Sequence, residues 1–323
     1  MAQDPSTIGR YKVLRKLGGG GMGVVYLAVD AVLKRQVAIK LVRGSFAEHE
    51  HAMLRFQREA EVSARLNHPN VIVVYDVGEE PGFGPFIAME FVAGSDLAEM
   101  IRDRRLDLEG GLQVLVQAAR ALDAAHDAGI VHRDVKPANL LVSAEGRVKL
   151  LDFGIARGDD STLTATGMFL GTPGFMAPEQ IKGDDASAAT DRYAFSVLAL
   201  ELLSGRRPYS ADSTPALLYK IVHEPPDISS ELTPALRAVF ERALAKDPSA
   251  RFPDLRSFLL ALVEAASLSE QRRATLRALI GSSDTVDLDR THAATAATAA
   301  TAAAPPPSRP LQRAVLREGV SGA

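Results

Sequence analysis

Apolar and polar positions alternate over residues 11–30 around a cluster of glycines, with Val13 and Leu14 before it and Val24-Val25-Tyr26-Leu27 after it. Two β-rich runs joined at a glycine tip predict a hairpin. Residues 36–42 predict a further strand, in which Lys40 is the one charge between Val37 and Val42. Residues 46–66 predict a helix, because Met53, Phe56, Ala60 and Ser63 recur by threes and fours on one face. Glu59 falls on the flank of that face, whereas Glu61 is turned roughly 140° from its centre, at about 100° per residue. Asn67-His68-Pro69-Asn70 ends the helix, and residues 71–77 and 85–91 predict two strands across a Gly/Pro turn.

The chain changes character at Val92-Ala93-Gly94-Ser95. Before it the pattern is strand-rich with one helix; after it nearly everything is helical. Residues 112–128 form a helix with Leu112, Leu115, Ala119 and Leu122 on one stripe, residues 147–151 a short strand, and residues 189–203 a buried helix with Asp191 at its start. Asp191 could simply cap that helix. Two to four more helices are expected to about residue 266. The fold class expected is α+β and bilobal: an N-terminal extension (1–10), a small antiparallel-sheet lobe with one key helix (11–91) and a larger, mainly helical lobe (92–266). An extra arginine-rich helix (267–280) follows. From Thr291 the chain is largely Ala and Thr in near-threefold repeats that end in three prolines. That composition has too little apolar bulk for a core, so residues 281–323 are expected to be a disordered tail or linker.

Composition narrows the function classes. With 46% hydrophobic and 24% charged residues the balance is globular, and a net charge of −3 gives no basic footprint for nucleic acid or an anionic membrane. The absence of cysteine excludes disulfides and thiolate metal sites and fits a reducing, cytoplasmic setting. Residues 1–10 hold no apolar run that could serve as a signal peptide. The longest apolar stretch, near Tyr193, is interrupted by Glu201 and too short to span a bilayer.

The candidate chemistry lies in loops. Residues 131–139 read Val-His-Arg-Asp-Val-Lys-Pro-Ala-Asn, where Pro137 argues against regular helix. A carboxylate (Asp134), a cation (Lys136) and an amide (Asn139) at this spacing suit phosphoryl transfer: an acid to orient a hydroxyl, a cation for phosphate, an amide oxygen for Mg²⁺. In the hairpin, Gly18, Gly20 and Gly23 fit G-x-G-x-x-G-x-V, a backbone that can approach phosphate oxygens without a Cβ in the way. A dinucleotide-binding reading would need a helix after the glycines, and Val24-Val25-Tyr26 is strand-like instead. The short strand at 147–151 delivers Asp152-Phe153-Gly154. His126 and His132 lack a second ligand pair at metal spacing and read as core or loop histidines.

Taken in order, Leu17-Gly-Gly-Gly-Gly-Met-Gly-Val-Val-Tyr26, Val37-Ala-Ile-Lys40, His132-Arg-Asp-Val-Lys-Pro-Ala-Asn139, Asp152-Phe-Gly-Ile-Ala-Arg157 and Ala177-Pro-Glu179 resemble the eukaryotic-like serine/threonine protein kinases of bacteria, over about residues 8–266. The resemblance implies the bilobal protein-kinase fold and transfer of the γ-phosphate of ATP, with Mg²⁺, to Ser/Thr hydroxyls of protein substrates. It implies Asp134, Lys136 and Lys40 as catalytic residues and Asn139 and Asp152 as metal ligands. ATP binding would fall to Leu17, Gly18, Gly19, Gly20, Gly21, Met22, Gly23, Val24, Val25, Ala38 and Lys40, with Glu59 as the partner of Lys40. Met89 would back the adenine pocket, and the backbones of Glu90 and Val92 would meet adenine.

The same resemblance makes residues 155–172 an activation segment with Thr164 and Thr166 as phosphosites and Arg133 as the cation they meet. It implies that Thr172 contacts the catalytic Asp and Lys, that Asp191 braces the catalytic loop and that Arg251 pairs with Glu179. Ser196 stands where a glycine is common in the family. Small-lobe dimers are common among similar kinases, so a transient homodimer for trans-autophosphorylation is expected. The rival reading is a nucleotide-binding pseudokinase scaffold. Its usual signature is loss of the residues equivalent to Lys40, Asp134 or Asp152, and all three are present.

Overall fold

A computed structural model describes residues 4–20, 23–42, 61, 65–153 and 173–282. The chain divides into two units, Met1–Val286 and Asp287–Ala323, and the described residues belong to the first. Most of the helix expected over 46–66, the segment 154–172 and the tail beyond 282 lie outside them.

A six-stranded antiparallel sheet builds the small lobe. Strands β1 (Thr7–Ile8), β2 (Tyr11–Gly20), β3 (Gly23–Asp30), β4 (Gln36–Val42), β5 (Val74–Glu80) and β6 (Gly84–Glu90) run in the order β1-β2-β3-β4-β6-β5. Alternation sorts their side chains onto two faces. Val24, Tyr26, Ala28, Val37, Ile39 and Leu41 join Ile8, Tyr11 and Phe86 in one apolar cluster. Val25, Ala38, Lys40 and Met89 occupy the other face, where the register sets Lys40 opposite Val25 and Ile87, and Ala38 opposite Met89.

The larger lobe follows. Strand β7 (Gly94–Asp96) leads into α1 (Leu97–Arg102) and α2 (Leu108–Asp127). Strands β8 (Leu140–Ser143) and β9 (Val148–Leu150) complete a three-stranded sheet with β7. Then come α3 (Pro178–Lys182), α4 (Ala188–Ser204), α5 (Thr214–His223), α6 (Pro234–Ala243), α7 (Leu255–Ala265) and α8 (Glu270–Gly281). Leu112, Leu115 and Leu122 of α2 share one core with Phe195 and Leu198 of α4, and the rings of Phe195, Phe240 and Phe252 all pack against Phe258. Among the described residues no helix is long and apolar enough to cross a membrane.

Four elements differ from the sequence pattern for identifiable reasons. Helix α2 begins at Leu108 rather than 112, because the Asp107 side chain caps it by accepting from Gly110 N at 2.8 Å. Helix α4 is capped by Ser187, which frees Asp191 for another task. Strand β5 begins at Val74, because the preceding residues pair across the lobes instead. Leu150 N donates to Asn70 O (2.7 Å), and Ile72 N donates to Leu150 O (3.0 Å). Helix α8 includes Gly281, so the first residue assigned to the tail is helical and Ser282 caps it.

Candidate active site

The loop 131–139 is held from beneath by Asp191 on α4. Its Oδ2 accepts from His132 N (2.7 Å) and its Oδ1 from Arg133 N (2.8 Å), while His126 Nε2 lies 2.8 Å from Oδ2. Asp191 is almost wholly buried. A buried carboxylate is costly unless it accepts several hydrogen bonds, and these partners supply them. The brace fixes a backbone that would not stay put by itself: Arg133 sits at φ +66°, a left-handed conformation that a branched-off side chain disfavours. His132 is fully buried, its Nε2 2.9 Å from Leu151 O and its ring 4.8 Å from that of Phe153. Among the described residues neither histidine stands in a cluster that could hold a metal.

Above that brace stand the polar groups. Lys136 Nζ lies 2.6 Å from Asp134 Oδ2. Asn139 Nδ2 donates to Asp134 O (2.8 Å) and approaches Oδ2 at 3.2 Å. Both contacts use the side-chain amide nitrogen, and among the described residues no hydrogen bond engages the side-chain oxygen Oδ1. Leu151 N donates to Asn139 O at 2.8 Å, which sets Asn139 beside the residue that precedes Asp152. Asp152 turns at φ +49°, the second strained backbone of the site. Its Oδ1 meets Lys40 Nζ at 2.9 Å. Strand β4 thus delivers the small lobe's cation to the large lobe's carboxylate.

The donor set fits a hard divalent cation held by few protein groups. Among the described residues no cluster of three or more His, Asp or Glu side chains forms a closed cage. Asp152 and Asn139 would offer such an ion one or two oxygens, and a hard divalent ion would take its remaining ligands from phosphate and water.

The glycine hairpin is more varied than its motif. A Cβ on Gly18 would meet nothing within 4 Å, which leaves an open approach for a ligand. A Cβ on Gly23 would stand 2.3 Å from Leu41 O, so this glycine is demanded by the pairing of β3 with β4. Val24 and Val25 also separate: Val24 is buried in the small-lobe core, and Val25 shares the face of Lys40. Leu17 is exposed. Gly19 and Gly20 lie in β2, while Gly21 and Met22 fall outside the described residues, as do Glu59, Thr164, Thr166 and Thr172.

The strand that ends at Glu90 leads into Val92. Glu90 N donates to Val73 O at 2.9 Å, and the Glu90 carboxylate meets Lys149 Nζ of β9 at 2.8 Å. Sequence reasoning overlooked Lys149. Its signal is a single charge between buried Val148 and Leu150 in a strand. Also overlooked were Asn70 and Gln117. Asn70 Nδ2 donates to Gln117 Oε1 (3.1 Å) and Val148 O (2.9 Å), which pins the turn before β5 to the large lobe.

Farther below the loop, Arg251 and Glu179 form a bidentate pair, with Nη1–Oε1 and Nη2–Oε2 both at 2.7 Å and side chains 1% and 8% exposed. Burial pushes the Glu179 carboxyl up, but the hydrogen bonds and charge of Arg251 and the hydroxyl of Thr190 outweigh it and hold the group below its ordinary range. Gln180, next to Glu179, reaches Arg133 O at 3.4 Å and links α3 to the loop.

Residues 11–263 match the protein kinase domain family. The serine/threonine-protein kinase PknA of Mycobacterium tuberculosis is 42% identical over 251 residues, covering 76% of this chain and 58% of that protein. The serine/threonine-protein kinase PknB of Mycobacterium leprae is 39% identical over 262 residues, covering 78% of this chain and 42% of that protein. The chain therefore matches under two thirds of the length of these curated relatives. The crystal structure of the PknI kinase domain of M. tuberculosis superposes with a TM-score of 0.63 at 34% identity, covering 80% of this chain and 98% of that one.

Proposed function

Since the chain belongs to the protein kinase family, we propose that it transfers the γ-phosphate of ATP to serine and threonine hydroxyls of proteins, with Mg²⁺ as the cation. The observation that carries this reading is the meeting of Lys40 with Asp152 beside a loop that presents Asp134, Lys136 and Asn139 together.

In this reading Asp152 and Asn139 hold the cation, which when bound neutralises charge on the phosphate oxygens. Lys40 positions the α- and β-phosphates. The Asp134 carboxylate orients the substrate hydroxyl and accepts its proton as the new oxygen–phosphorus bond forms. Lys136, already paired with Asp134, offsets charge on the transferred group. Ala38, Met89, Val25 and Leu17 flank the nucleotide, with the backbones of Glu90 and Val92 at adenine and Gly18 to Gly23 over the phosphates. The work asked of the protein is mostly positioning and fixed charge.

Thr164 and Thr166 are the proposed activating phosphosites, with Arg133 as their cation and Thr172 beside the catalytic pair. Glu59 is the proposed second partner of Lys40. A transient pair of copies would carry out the self-phosphorylation, in a cytoplasmic setting. The pseudokinase alternative lacks support from any missing catalytic group.

The test is incubation with ATP and either Mg²⁺ or a chelator, followed by phosphoamino-acid analysis. Phosphoserine and phosphothreonine formed only with the metal, at a rate that rises with the square of enzyme concentration, is the expected result. Phosphotyrosine alone would reject the residue class, and phosphate absent from both Thr164 and Thr166 would reject the activation sites.

A further inference from the structure

Helix α8 lies beyond the stretch that matches the kinase domain, yet it is part of the large lobe. Leu276 is buried against the core shared with α2 and α7. Its C-terminal end is held by one residue. Arg120 of α2 directs Nη2 to Leu279 O (2.5 Å), Ser282 O (2.9 Å) and the Ser282 hydroxyl (2.7 Å).

Arg120 is unusual in what it lacks. Among the described residues no carboxylate lies within ion-pair distance of it, and burial pushes its guanidinium down with no acid to offset the cost. Its Nε is buried with no hydrogen-bond partner. The surroundings add positive charge. The nearby His68 is pushed down by burial and by the charges of Arg120 and Lys149, and Arg256 Nη2 comes within 3.9 Å of where a Cβ on Gly281 would stand. A half-buried arginine with a spare donor and, among the described residues, no counter-ion thus has a serine hydroxyl in its grip. Neutral partners satisfy that arrangement poorly, whereas a group with several anionic oxygens would satisfy the whole fork.

We propose that Ser282 is a phosphorylation site, modified by a second copy of this kinase, whose phosphate is received by Arg120 and locks α8 onto the large lobe. The inference rests on the proposed kinase activity for its phosphate donor. Ser282 Oγ forms a bond to the γ-phosphorus as the bond from that phosphorus to the β–γ bridging oxygen breaks. ADP leaves with the electron pair, and the hydroxyl proton passes to Asp134 of the modifying copy. Helix ends fray, and Ser282 is part-exposed at the last turn, so the acceptor can leave Arg120 long enough to react. Phosphate at a helix C-terminus opposes the helix dipole, but here the terminal carbonyls already accept from a cation, and attraction to that cation is the larger effect.

The test treats the intact chain and Ser282→Ala with Mg-ATP, maps phosphate by mass spectrometry and compares the melting temperatures. The expected result is phosphate on Ser282 and a melting temperature raised by about 2–4 °C more in the intact chain than in Ser282→Ala. In Arg120→Gln that gain is lost. Should Arg120→Gln fold poorly, the chain made with phosphoserine encoded at position 282 is compared with the unmodified chain, and the same upward shift is expected. Phosphate on Thr164, Thr166 or a generic protein substrate, with none on Ser282, overturns this inference alone. Ser282 phosphate that lowers the melting temperature, or raises it equally without Arg120, overturns the lock. No phosphate on any protein overturns the proposed activity, and self-modification with it, while the encoded phosphoserine still decides whether Arg120 receives the group.

Discussion

Lys40 Nζ lies 2.9 Å from Asp152 Oδ1, and through that contact β4 of the small lobe touches the second residue past β9 of the large one. The two side chains are 16% and 39% exposed, so water screens the pair and its worth to stability is small, about 0–1 kcal/mol. Its value is positional. Lys40→Met is therefore expected to lower kcat/KM by at least about a hundredfold. The melting temperature should move by less than about 4 °C. Steady-state kinetics beside a thermal melt checks both; a large fall in melting temperature would mean that Lys40 is structural.

The Glu90–Lys149 pair sits where β6 leads into the linker between the lobes, and it ties that linker to β9. It is better shielded than most surface pairs, with exposures of 14% for Lys149 and 26% for Glu90. Removing Lys149 frees the linker next to the proposed adenine contacts without touching Asp134. Lys149→Met should raise KM for ATP by about threefold to tenfold with kcat nearly unchanged, the scale of one partly buried charge pair. Glu90→Gln should do the same, and the double variant should be no worse than either single one. Additive effects would show that the two side chains act separately.

Breaking the buried Glu179–Arg251 pair leaves an uncompensated charge in the large lobe. Arg251→Ala should cost about 3–5 kcal/mol of unfolding free energy, measured by urea titration at neutral pH. The pH dependence has a definite sign. The folded Glu179 carboxyl is held below its ordinary 4.5, so its contribution is complete above pH 4.5 and is lost as pH falls through the lower folded value. The penalty of Arg251→Ala should shrink in that acid range. A penalty independent of pH below 4.5 would exclude the ion pair as its source.

Asp123 on α2 behaves in the opposite way. Burial, with smaller contributions from Asp127 and Asp254, outweighs His126 and Arg192 and pushes its carboxyl up from 3.8 to about 6. Between those values the folded chain binds the extra proton, so stability falls as pH rises through that window. Asp123→Asn should remove this slope and be more stable than the parent at pH 8 relative to pH 5. Parallel stability–pH curves for the two proteins would contradict it.

Much of the architecture was legible from periodicity. Alternation in β3 and β4 and the threefold and fourfold spacing in α2 report which faces are buried, and those faces are what the lobes pack; α4, a mostly apolar run, is buried nearly all round. The loop 131–139 was legible because its residue types and spacing carry chemistry. What periodicity cannot report is the identity of a partner across space. Val71 and Ile72 look like the start of β5, but they bond to Leu150, far along the chain. Asp191 looks like a helix cap by position, while its partners are the N–H groups of His132 and Arg133. The motif also groups Val24 with Val25, although strand alternation separates them, a signal present in the sequence and missed there. Gly23 carries a second demand, the close passage of Leu41 O, that only the pairing of two strands reveals.

The most direct measurement is phosphate transfer from γ-labelled ATP with Mg²⁺, run on the intact chain and on Asp134→Asn in parallel, with nucleotide binding measured on both. Asp134 contacts Lys136 and Asn139 without lying in the small lobe, so its amide variant should still bind nucleotide. The expected result is label on serine or threonine in the intact chain and a loss of at least about a hundredfold in the variant. Equal labelling of both proteins, or none in the intact chain despite bound nucleotide, would contradict the assignment of this loop as the centre of phosphoryl transfer.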